Sequence, residues 1–265
     1  MVLPAFSFAQ LADSTSRLVH MQGAANFRDV GGYRTEDNRT VVRNRIFRSA
    51  EISKLTDKDL DLFSQKRIHS VIDFRGKRES AGAPDRLPAG TAYLLSPAGS
   101  DNLPDLQQMG KLIKSGRLIE MMYDSASVSY FADRYKPLFQ QLLTMPGNDA
   151  ILYHCTGGRD RTGMATALLL YALKVPMNTI EADFTASNVY LQQKNKEMLA
   201  PLASFSGLSI EEVTKSMELK PELLHKFFKA IETKYGSIDN FFQQGLGIGP
   251  EQMAALRAKY TTSSF

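Results

Sequence analysis

The residues best suited to covalent chemistry lie in one short segment, around the only cysteine of the chain. Cys155 follows an apolar run, and after five further residues Arg161 and Thr162 open a second, longer apolar stretch. This spacing predicts a buried strand, a short loop and a helix, in that order. Gly157 and Gly158 give the loop the backbone freedom to curl into a cradle.

A cradle of this kind suits an anion. The unpaired N–H groups and the dipole of the helix N-terminus attract negative charge. Arg161 adds a guanidinium fork that fits two oxygens of a phosphate, and Arg159 adds a second positive charge at the rim. We therefore expect phosphate and other oxyanions as ligands. The residues expected to hold them are Thr156, Gly157, Gly158, Arg159 and Arg161.

The same positive field favours the thiolate of Cys155, which is the nucleophilic form of that side chain. We expect His154 to orient the loop by a hydrogen bond and Thr162 to donate its hydroxyl to the thiolate. Together these groups predict phosphoryl transfer through a covalent cysteinyl-phosphate intermediate.

Three alternatives compete with this interpretation. A cysteine after a buried strand is often only a small core hydrophobe. A preceding His, an Arg six residues later and a Thr after that coincide by chance only on the order of once in ten thousand, however. A phosphate-binding module without turnover would lack the nucleophile or the acid, and both are present here. The Arg-Thr-Gly sequence that opens the helix disfavours a sulfur-transfer enzyme.

Strands and helices alternate through the first two thirds of the chain. The predicted strands lie within 40–50 and at 70–74, 91–95 and 150–153. Helices are predicted after the N-cap Thr56, over 103–124 with breaks at Gly110 and Gly116, and over 130–145 and 161–173. The charged segment 75–90, rich in glycine and proline, predicts a loop. After Pro176 only helices are expected, over 177–200, 209–217, 221–235, 237–244 and 250–259.

This alternation predicts an α/β fold with a central, mostly parallel sheet flanked by helices and a helical C-terminal third. We expect one domain over 1–265, with residues 1–20 as an N-terminal arm or the remnant of a trimmed signal. Localisation stays open between the cytoplasm, slightly favoured, and export. Segment 103–123 is either a lid over the site or an ordinary packed helix pair, which is the favoured alternative.

Composition excludes several classes of protein and partner. The 265 residues are 43% hydrophobic and 23% charged, which excludes collagen, coiled-coil rods and disordered chains. The 32 Lys and Arg exceed the 28 Asp and Glu by too little to indicate a nucleic-acid partner. A single cysteine excludes an internal disulfide, and the four histidines lie at no metal-ligand spacing, so no metal is expected. No apolar run reaches the roughly 20 residues of a transmembrane segment.

The segment HCTGGRDRTG at 154–163 resembles the signature loop of cysteine-dependent protein tyrosine phosphatases. Other segments are similar to the atypical bacterial group with dual protein and phosphoinositide specificity, and the resemblance covers about residues 20–260. These segments are NFRDVGGY at 26–33, FRSA at 47–50, VIDFRGKRE at 71–79 and IDNFFQQGLG at 238–247. The resemblance implies a phosphatase fold that needs neither metal nor cofactor. Its expected substrate is a phosphotyrosine protein, with phosphoserine and phosphothreonine left open.

A phosphatase also needs a general acid, because the leaving oxygen must be protonated. The resemblance points to Asp160 of the loop. Asp73 is the second candidate, since the carboxyl ends of parallel strands converge on the ligand crevice and would bring Asp73 and Arg75 near Cys155 as substrate-binding residues. The alternative for the pair is a structural ion pair with Glu79, which would then support the loop.

Further supporting residues are expected at Asn26, Arg28 and Asp29, whose alternative is a plain turn around Gly31 and Gly32. In the family pattern Asp183 and Asn188 also face the site region.

One position departs from the family. The loop commonly carries a lysine where Arg159 stands here, and that lysine is associated with inositol lipids. Arginine keeps the charge but changes its geometry. The basic residues Arg159, Lys77 and Arg78 would favour a phosphoinositide or inositol-polyphosphate phosphatase, which is the alternative function.

Overall fold

A central five-stranded sheet organises the molecule. The computed structural model describes residues 16–99, 106–123 and 125–263. The strands of the sheet are β1 (Arg28–Asp29), β3 (Ile46–Ser49), β4 (Ile68–Asp73), β5 (Ala92–Leu95) and β6 (Ala150–His154). They lie in the order β1-β3-β6-β4-β5, with β1 antiparallel to β3 and the other pairs parallel. Two further strands, β2 (Arg39–Val41) and β7 (Thr261–Ser263), pair in a small antiparallel sheet. The expected α/β fold with a mostly parallel sheet is confirmed.

The helices flank this sheet and dominate the second half of the chain. The first five are α1 (Asp57–Gln65), α2 (Lys77–Gly82), α3 (Leu106–Lys114), α4 (Leu118–Met121) and α5 (Ser125–Thr144). The next four are α6 (Arg161–Ala172), α7 (Met177–Tyr190), α8 (Gln192–Ser206) and α9 (Ile210–Ser216). The last are α10 (Pro221–Tyr235), α11 (Ile238–Asn240), a π-helical turn (Phe241–Leu246) and α12 (Pro250–Tyr260).

β6 and α6 form the centre of the fold. All five residues of β6 are buried, as an apolar strand with parallel neighbours on both sides should be. Eleven of the twelve residues of α6 are buried as well, so this helix is covered on every side. Because both elements are fixed by the core, the loop between them has its two ends held rigidly.

Most predicted elements are present, with shifted ends. The expected strands at 70–74, 91–95 and 150–153 are β4, β5 and β6. Segment 40–50 contains β3 and all of β2 except its first residue, Arg39. The helix expected over 177–200 is two helices, α7 and α8, and that expected over 237–244 is α11 followed by the π-helical turn. The segment 75–90 is not all loop, because it contains α2. β7 was not predicted, since its pairing with β2 joins distant parts of the chain.

The segment 103–124 tests two expectations, although residues 103–105 and 124 lie outside the described residues. Gly116 ends a helix with φ +68°, as expected of a break. Gly110 is not a break; it lies inside α3, where a Cβ atom would come within 2.9 Å of the Phe205 backbone in α8. Ile113 and Ile119 are buried in the core, which favours the packed helix pair over the lid.

The expected N-terminal arm falls largely outside the described residues, which begin at residue 16. Leu18 forms an isolated antiparallel bridge with Arg28 of β1. Within the described residues, the helices include none whose length and apolar character would let it cross a bilayer.

The close approach at Gly110 yields a stability test. We expect Gly110→Ala to lower the free energy of unfolding by about 1 kcal/mol, because overpacking against α8 outweighs the gain in helix propensity. Gly82→Ala in α2 is the matched control, since a Cβ there meets nothing within 4 Å. Urea unfolding of the two variants measures the difference. Equal stability of both would contradict the close helix contact.

Candidate active site

The loop between β6 and α6 takes the form that the sequence predicts. It spans residues 155–160, starts at the carboxyl end of β6 and runs into the N-terminus of α6. Cys155, its first residue, is only 2% exposed. The thiol therefore lies at the base of the loop rather than on the surface.

Gly158 is the residue that the loop geometry requires. Its φ is +60°, and a Cβ atom would lie 2.2 Å from the carbonyl oxygen of Ser49, at the end of β3. Gly157 has no positive φ, and its Cβ would meet only side chains, at 3.1 Å from Arg159 Cγ and 3.7 Å from Met198 Sδ. Only the second glycine is therefore needed for the turn and the close approach.

The carbonyl groups of both glycines are held from behind. Asn26 Nδ2 donates to the oxygens of Gly157 and Gly158 at 3.2 and 2.9 Å, and Arg48 Nη2 donates to Gly158 at 2.9 Å. A trans peptide directs its N–H opposite to its C=O. The next N–H groups of the loop, those of Gly158 and Arg159, therefore point away from this support, as donors to an anion must.

A buried charge cluster fixes that support. Asp183 accepts from Arg28 at 3.1 Å and from Arg48 at 2.5 Å. Burial alone would raise the pKa of Asp183, but the charges of the two arginines outweigh it and hold that pKa well below its usual range. Asn26 and Arg28 are thus supporting residues by position. Asp29 is not, because its oxygens accept from the backbone N–H groups of Gly31 and Asn44, as in the plain-turn alternative.

Arg161, at the start of α6, is held by a carboxylate. Its Nη1 and Nη2 donate to Glu79 Oε2 and Oε1 at 2.7 and 3.0 Å, and Thr156 Oγ1 donates to Glu79 Oε1 at 2.6 Å. Burial alone would raise the pKa of Glu79, but the hydrogen bonds and charge of Arg161 lower it to about 2. Glu79 is therefore ionised at neutral pH, and it fixes the plane of the guanidinium beside the loop.

The helix α2 places Glu79. The N–H of Gly76, the residue before this helix, donates to Glu79 Oε2 at 2.8 Å. A six-residue helix in a segment of glycine, proline and charge carries no periodic apolar pattern. The sequence therefore indicated Glu79 but not the element that positions it.

Asp73 and Arg75 form a structural ion pair, which is the alternative to the expected substrate-binding role. Arg75 is fully buried, with Nη2 at 2.8 Å from Asp73 Oδ2 and 2.7 Å from Asp85 Oδ1. Burial would raise the pKa of Asp73, but hydrogen bonds from Arg75 outweigh it and lower that pKa. A carboxyl group so held is poorly suited to donate a proton at neutral pH, which favours Asp160 as the acid.

His154 belongs to the same network. Its Nε2 lies 2.8 Å from Asp85 Oδ2, and its Nδ1 lies 3.4 Å from the carbonyl oxygen of Cys155. Asp73, Asp85 and His154 offer donor atoms within 4.8 Å of one another, as metal ligands would. Arg75 already supplies the positive charge between the two carboxylates. No pattern in the sequence indicates a role for Asp85, which lies in an irregular segment.

Asp160 is the last residue of the loop, directly before α6. Tyr123 donates to Asp160 Oδ1 at 2.8 Å, and Arg159 Nε lies 2.9 Å from Asp160 Oδ2. Arg159 is 6% exposed, and its Nη2 donates to the carbonyl oxygen of Met217 at 2.6 Å. The Arg159 guanidinium is therefore buried against the end of α9 and is not free at the rim of the loop, because the Asp160 carboxylate and the Met217 carbonyl oxygen attract it. The sequence pattern predicts a helix pair that includes Tyr123, but it predicts no role for this residue in the site.

Comparison with known proteins agrees with this arrangement. A sequence model described as the tyrosine phosphatase family matches residues 19–262. The chain belongs to the tyrosine phosphatase family.

Individual relatives cover most of this phosphatase. A protein of Cupriavidus necator named as a tyrosine-protein phosphatase is 29% identical over 242 residues, or 89% of this chain and 85% of that protein. The triple specificity protein phosphatase PtpB of Mycobacterium tuberculosis is 27% identical, over 84% of this chain and 92% of PtpB. A tyrosine-protein phosphatase of Nostoc commune is 30% identical over 59% of this chain and 53% of its own length. The solved structure of TpbA from P. aeruginosa is 13% identical, with a TM-score of 0.31. The match covers 68% of this chain and 90% of the TpbA chain.

Two expectations, a contact of Thr162 and the placement of Asn188 at the site, differ from the structure. The hydroxyl of Thr162 is fully buried but forms no hydrogen bond with any described residue, so the expected bond to the Cys155 thiol is absent. Asn188 bonds the backbone of Leu219 through both amide atoms, at 2.9 and 3.0 Å, and so ties α7 to the segment after α9. Its role is to connect helices.

The glycines of the loop give a direct test of its geometry. We expect Gly158→Ala to lower kcat/KM by at least about 100-fold, because a Cβ against β3 displaces the donors of the cradle. Gly157→Ala should keep most of the activity, since it meets no backbone. Hydrolysis of p-nitrophenyl phosphate, with circular dichroism to check folding, compares the two. Similar losses in both variants would show that the loop does not have this geometry.

The ion pair at Arg161 predicts a pH dependence of stability. The pKa of Glu79 falls from 4.5 to about 2 on folding, so its ionised form stabilises the folded phosphatase fully above pH 4.5. This contribution is lost as the pH falls towards 2. Glu79→Gln should therefore be less stable than wild type at pH 7, and the gap should close on acidification.

Chemical denaturation at several pH values measures that gap. Glu36→Gln, at an exposed glutamate, is the control. Its free energy of unfolding should stay close to that of wild type at each pH tested. A wild-type advantage over Glu79→Gln that stays constant down to pH 2 would show that Glu79 is not held as a carboxylate.

Proposed function

We propose that this phosphatase hydrolyses phosphotyrosine esters through a cysteinyl-phosphate intermediate formed on Cys155. One observation carries the proposal: the buried thiol opens a loop whose glycine carbonyl groups are held from behind, so that the N–H groups that follow them point to the opposite side. Arg161, ionised and fixed by Glu79, begins the helix at the other end of that loop. Such an arrangement binds a phosphate and places a nucleophile beneath its phosphorus.

In the first step the thiolate of Cys155 attacks phosphorus. An S–P bond forms as the bond from phosphorus to the ester oxygen breaks. Asp160 gives its proton to that oxygen, so tyrosine leaves as a neutral phenol. Arg161 and the loop N–H groups stabilise the negative charge on the three phosphoryl oxygens.

In the second step water releases the phosphate. Asp160, now a carboxylate, takes a proton from a water molecule as that water attacks phosphorus. The S–P bond breaks, inorganic phosphate leaves, and the thiolate is restored.

The range of substrates is part of the proposal. One relative is named a triple specificity protein phosphatase, which supports a test of phosphoserine and phosphothreonine beside phosphotyrosine. No such observation favours the phosphoinositide alternative. Arg159, which stands at the position associated with inositol lipids, is turned into a buried pairing with Asp160 and Met217. We therefore rank phosphotyrosine first.

The decisive measurement is steady-state phosphate release by wild type and three variants, with a chelator present. We expect Cys155→Ser to abolish turnover, and Asp160→Asn to lower kcat by about 10²–10⁴-fold with phosphotyrosine peptides. Arg161→Lys should cost about 10²–10³-fold, because a single ammonium cannot replace the bidentate fork. Arg67→Lys is the matched control, at a side chain that is 59% exposed.

Substrate choice is read from the same assay with phosphotyrosine, phosphoserine and phosphothreonine peptides and a soluble phosphoinositide. Acid-quenched wild type should carry covalent phosphate that Cys155→Ser lacks. Full turnover by Cys155→Ser would refute the covalent mechanism. Preference for the phosphoinositide would overturn the ranking of substrates but leave the mechanism in place.

A further inference from the structure

The two oxygens of the Asp160 carboxylate are held unequally. Oδ1 accepts from the Tyr123 hydroxyl at 2.8 Å and from Arg159 Nη2 at 3.4 Å. Arg159 Nε lies 2.9 Å from Oδ2, but that N–H makes no hydrogen bond with any described residue, so it is not aligned to donate. Both hydrogen bonds from these neighbours therefore reach Oδ1, and Oδ2 has only the nearby charge.

Tyr123 is built as a fixed donor. Its side chain is fully buried just after α4, and its ring packs edge-on against Phe184 of α7 at 5.8 Å between centroids. Burial, followed by the charge of Asp160, raises the pKa of Tyr123 well above 10. The phenol therefore keeps its proton at neutral pH and donates a hydrogen bond to Oδ1.

We propose that Tyr123 is a positioning residue for the general acid: it anchors Oδ1 of Asp160, so that Oδ2 carries the proton that passes to the leaving oxygen. This inference rests on the proposed function, because it requires Asp160 to be the acid. The transfer is balanced as follows. The Oδ2–H bond breaks as the bond from phosphorus to the ester oxygen breaks, the ester oxygen gains the proton, and Asp160 keeps the electron pair as a carboxylate.

The hydrogen bond from Tyr123 then contributes most when it is needed. A donor binds a carboxylate more strongly than a neutral carboxylic acid. Negative charge grows on Asp160 as its proton leaves, so the Tyr123 bond strengthens towards the transition state. Only interactions that strengthen in this way accelerate the chemical step.

The test uses esters whose leaving groups need the proton to different degrees. Nitrophenolate leaves readily without protonation, whereas phenolate needs the acid. We expect Tyr123→Phe to lower kcat/KM for phenyl phosphate by about 5- to 10-fold and kcat/KM for p-nitrophenyl phosphate by much less, since kcat/KM reports the step in which the leaving group departs. Phenylalanine keeps the ring and its contact with Phe184, so the fold itself is not at stake.

The matched control is Tyr260→Phe. Tyr260 is also fully buried, and its hydroxyl donates to the carbonyl of Leu142 at 2.7 Å, within the contact between α12 and α5. This variant should show the wild-type ratio of kcat/KM for the two esters. Thermal unfolding of both variants confirms that each is folded at the assay temperature.

Asp160→Asn separates the inference from the proposed function. If Asp160→Asn leaves the ratio of kcat/KM for the two esters as in wild type, Asp160 is not the acid and both proposals fail. If that ratio changes in Asp160→Asn but stays wild-type in Tyr123→Phe, the proposed function stands and the role of Tyr123 is refuted. Equal losses on both esters in Tyr123→Phe would also refute it, since they would indicate a structural effect alone.

Discussion

The contact between Gly158 and the end of β3 is the constraint on which the rest of the site depends. No side chain fits between the loop and the carbonyl group of Ser49, so the loop lies directly on the sheet. Because of this close contact, the loop carbonyl groups lie within hydrogen-bond distance of two side chains. These are Asn26, just before β1, and Arg48, in β3. The orientation of the anion-binding N–H groups then follows from the planarity of the peptide.

The charge behind the loop is only partly balanced. Arg28 and Arg48 share the single carboxylate of Asp183, so the support of the loop carries an excess of positive charge. Such a buried excess costs free energy in the empty protein, because a charge removed from water needs a partner. A bound phosphate dianion and the Cys155 thiolate would supply the missing negative charge. The site is thus least well balanced when it is empty.

The sequence was most informative where structure is local. The apolar run of β6, the spacing from Cys155 to Arg161 and the apolar helix α6 together define the loop, and they are contiguous. Asp85 and Tyr123 could not be found in this way, because each acquires its partner only through folding, across 69 and 37 residues. The burial of Arg159 was missed for the same reason, since the carbonyl group of Met217 that it binds lies 58 residues away. Glu79 could be predicted in part. Its sequence motif indicates a supporting role, but no pattern predicts the short helix that positions it.

The small sheet of β2 and β7 has a consequence for the order in which the chain folds. Arg39, at the start of β2, bonds Thr261 in β7 across 222 residues of chain. During synthesis at about 5–20 residues per second, β2 is exposed to solvent for at least about ten seconds before its partner strand emerges from the ribosome. The helices that complete the site, up to the carbonyl group of Met217, are made before that. All the residues that hold the loop are therefore synthesised while β2 is still an unpaired edge strand.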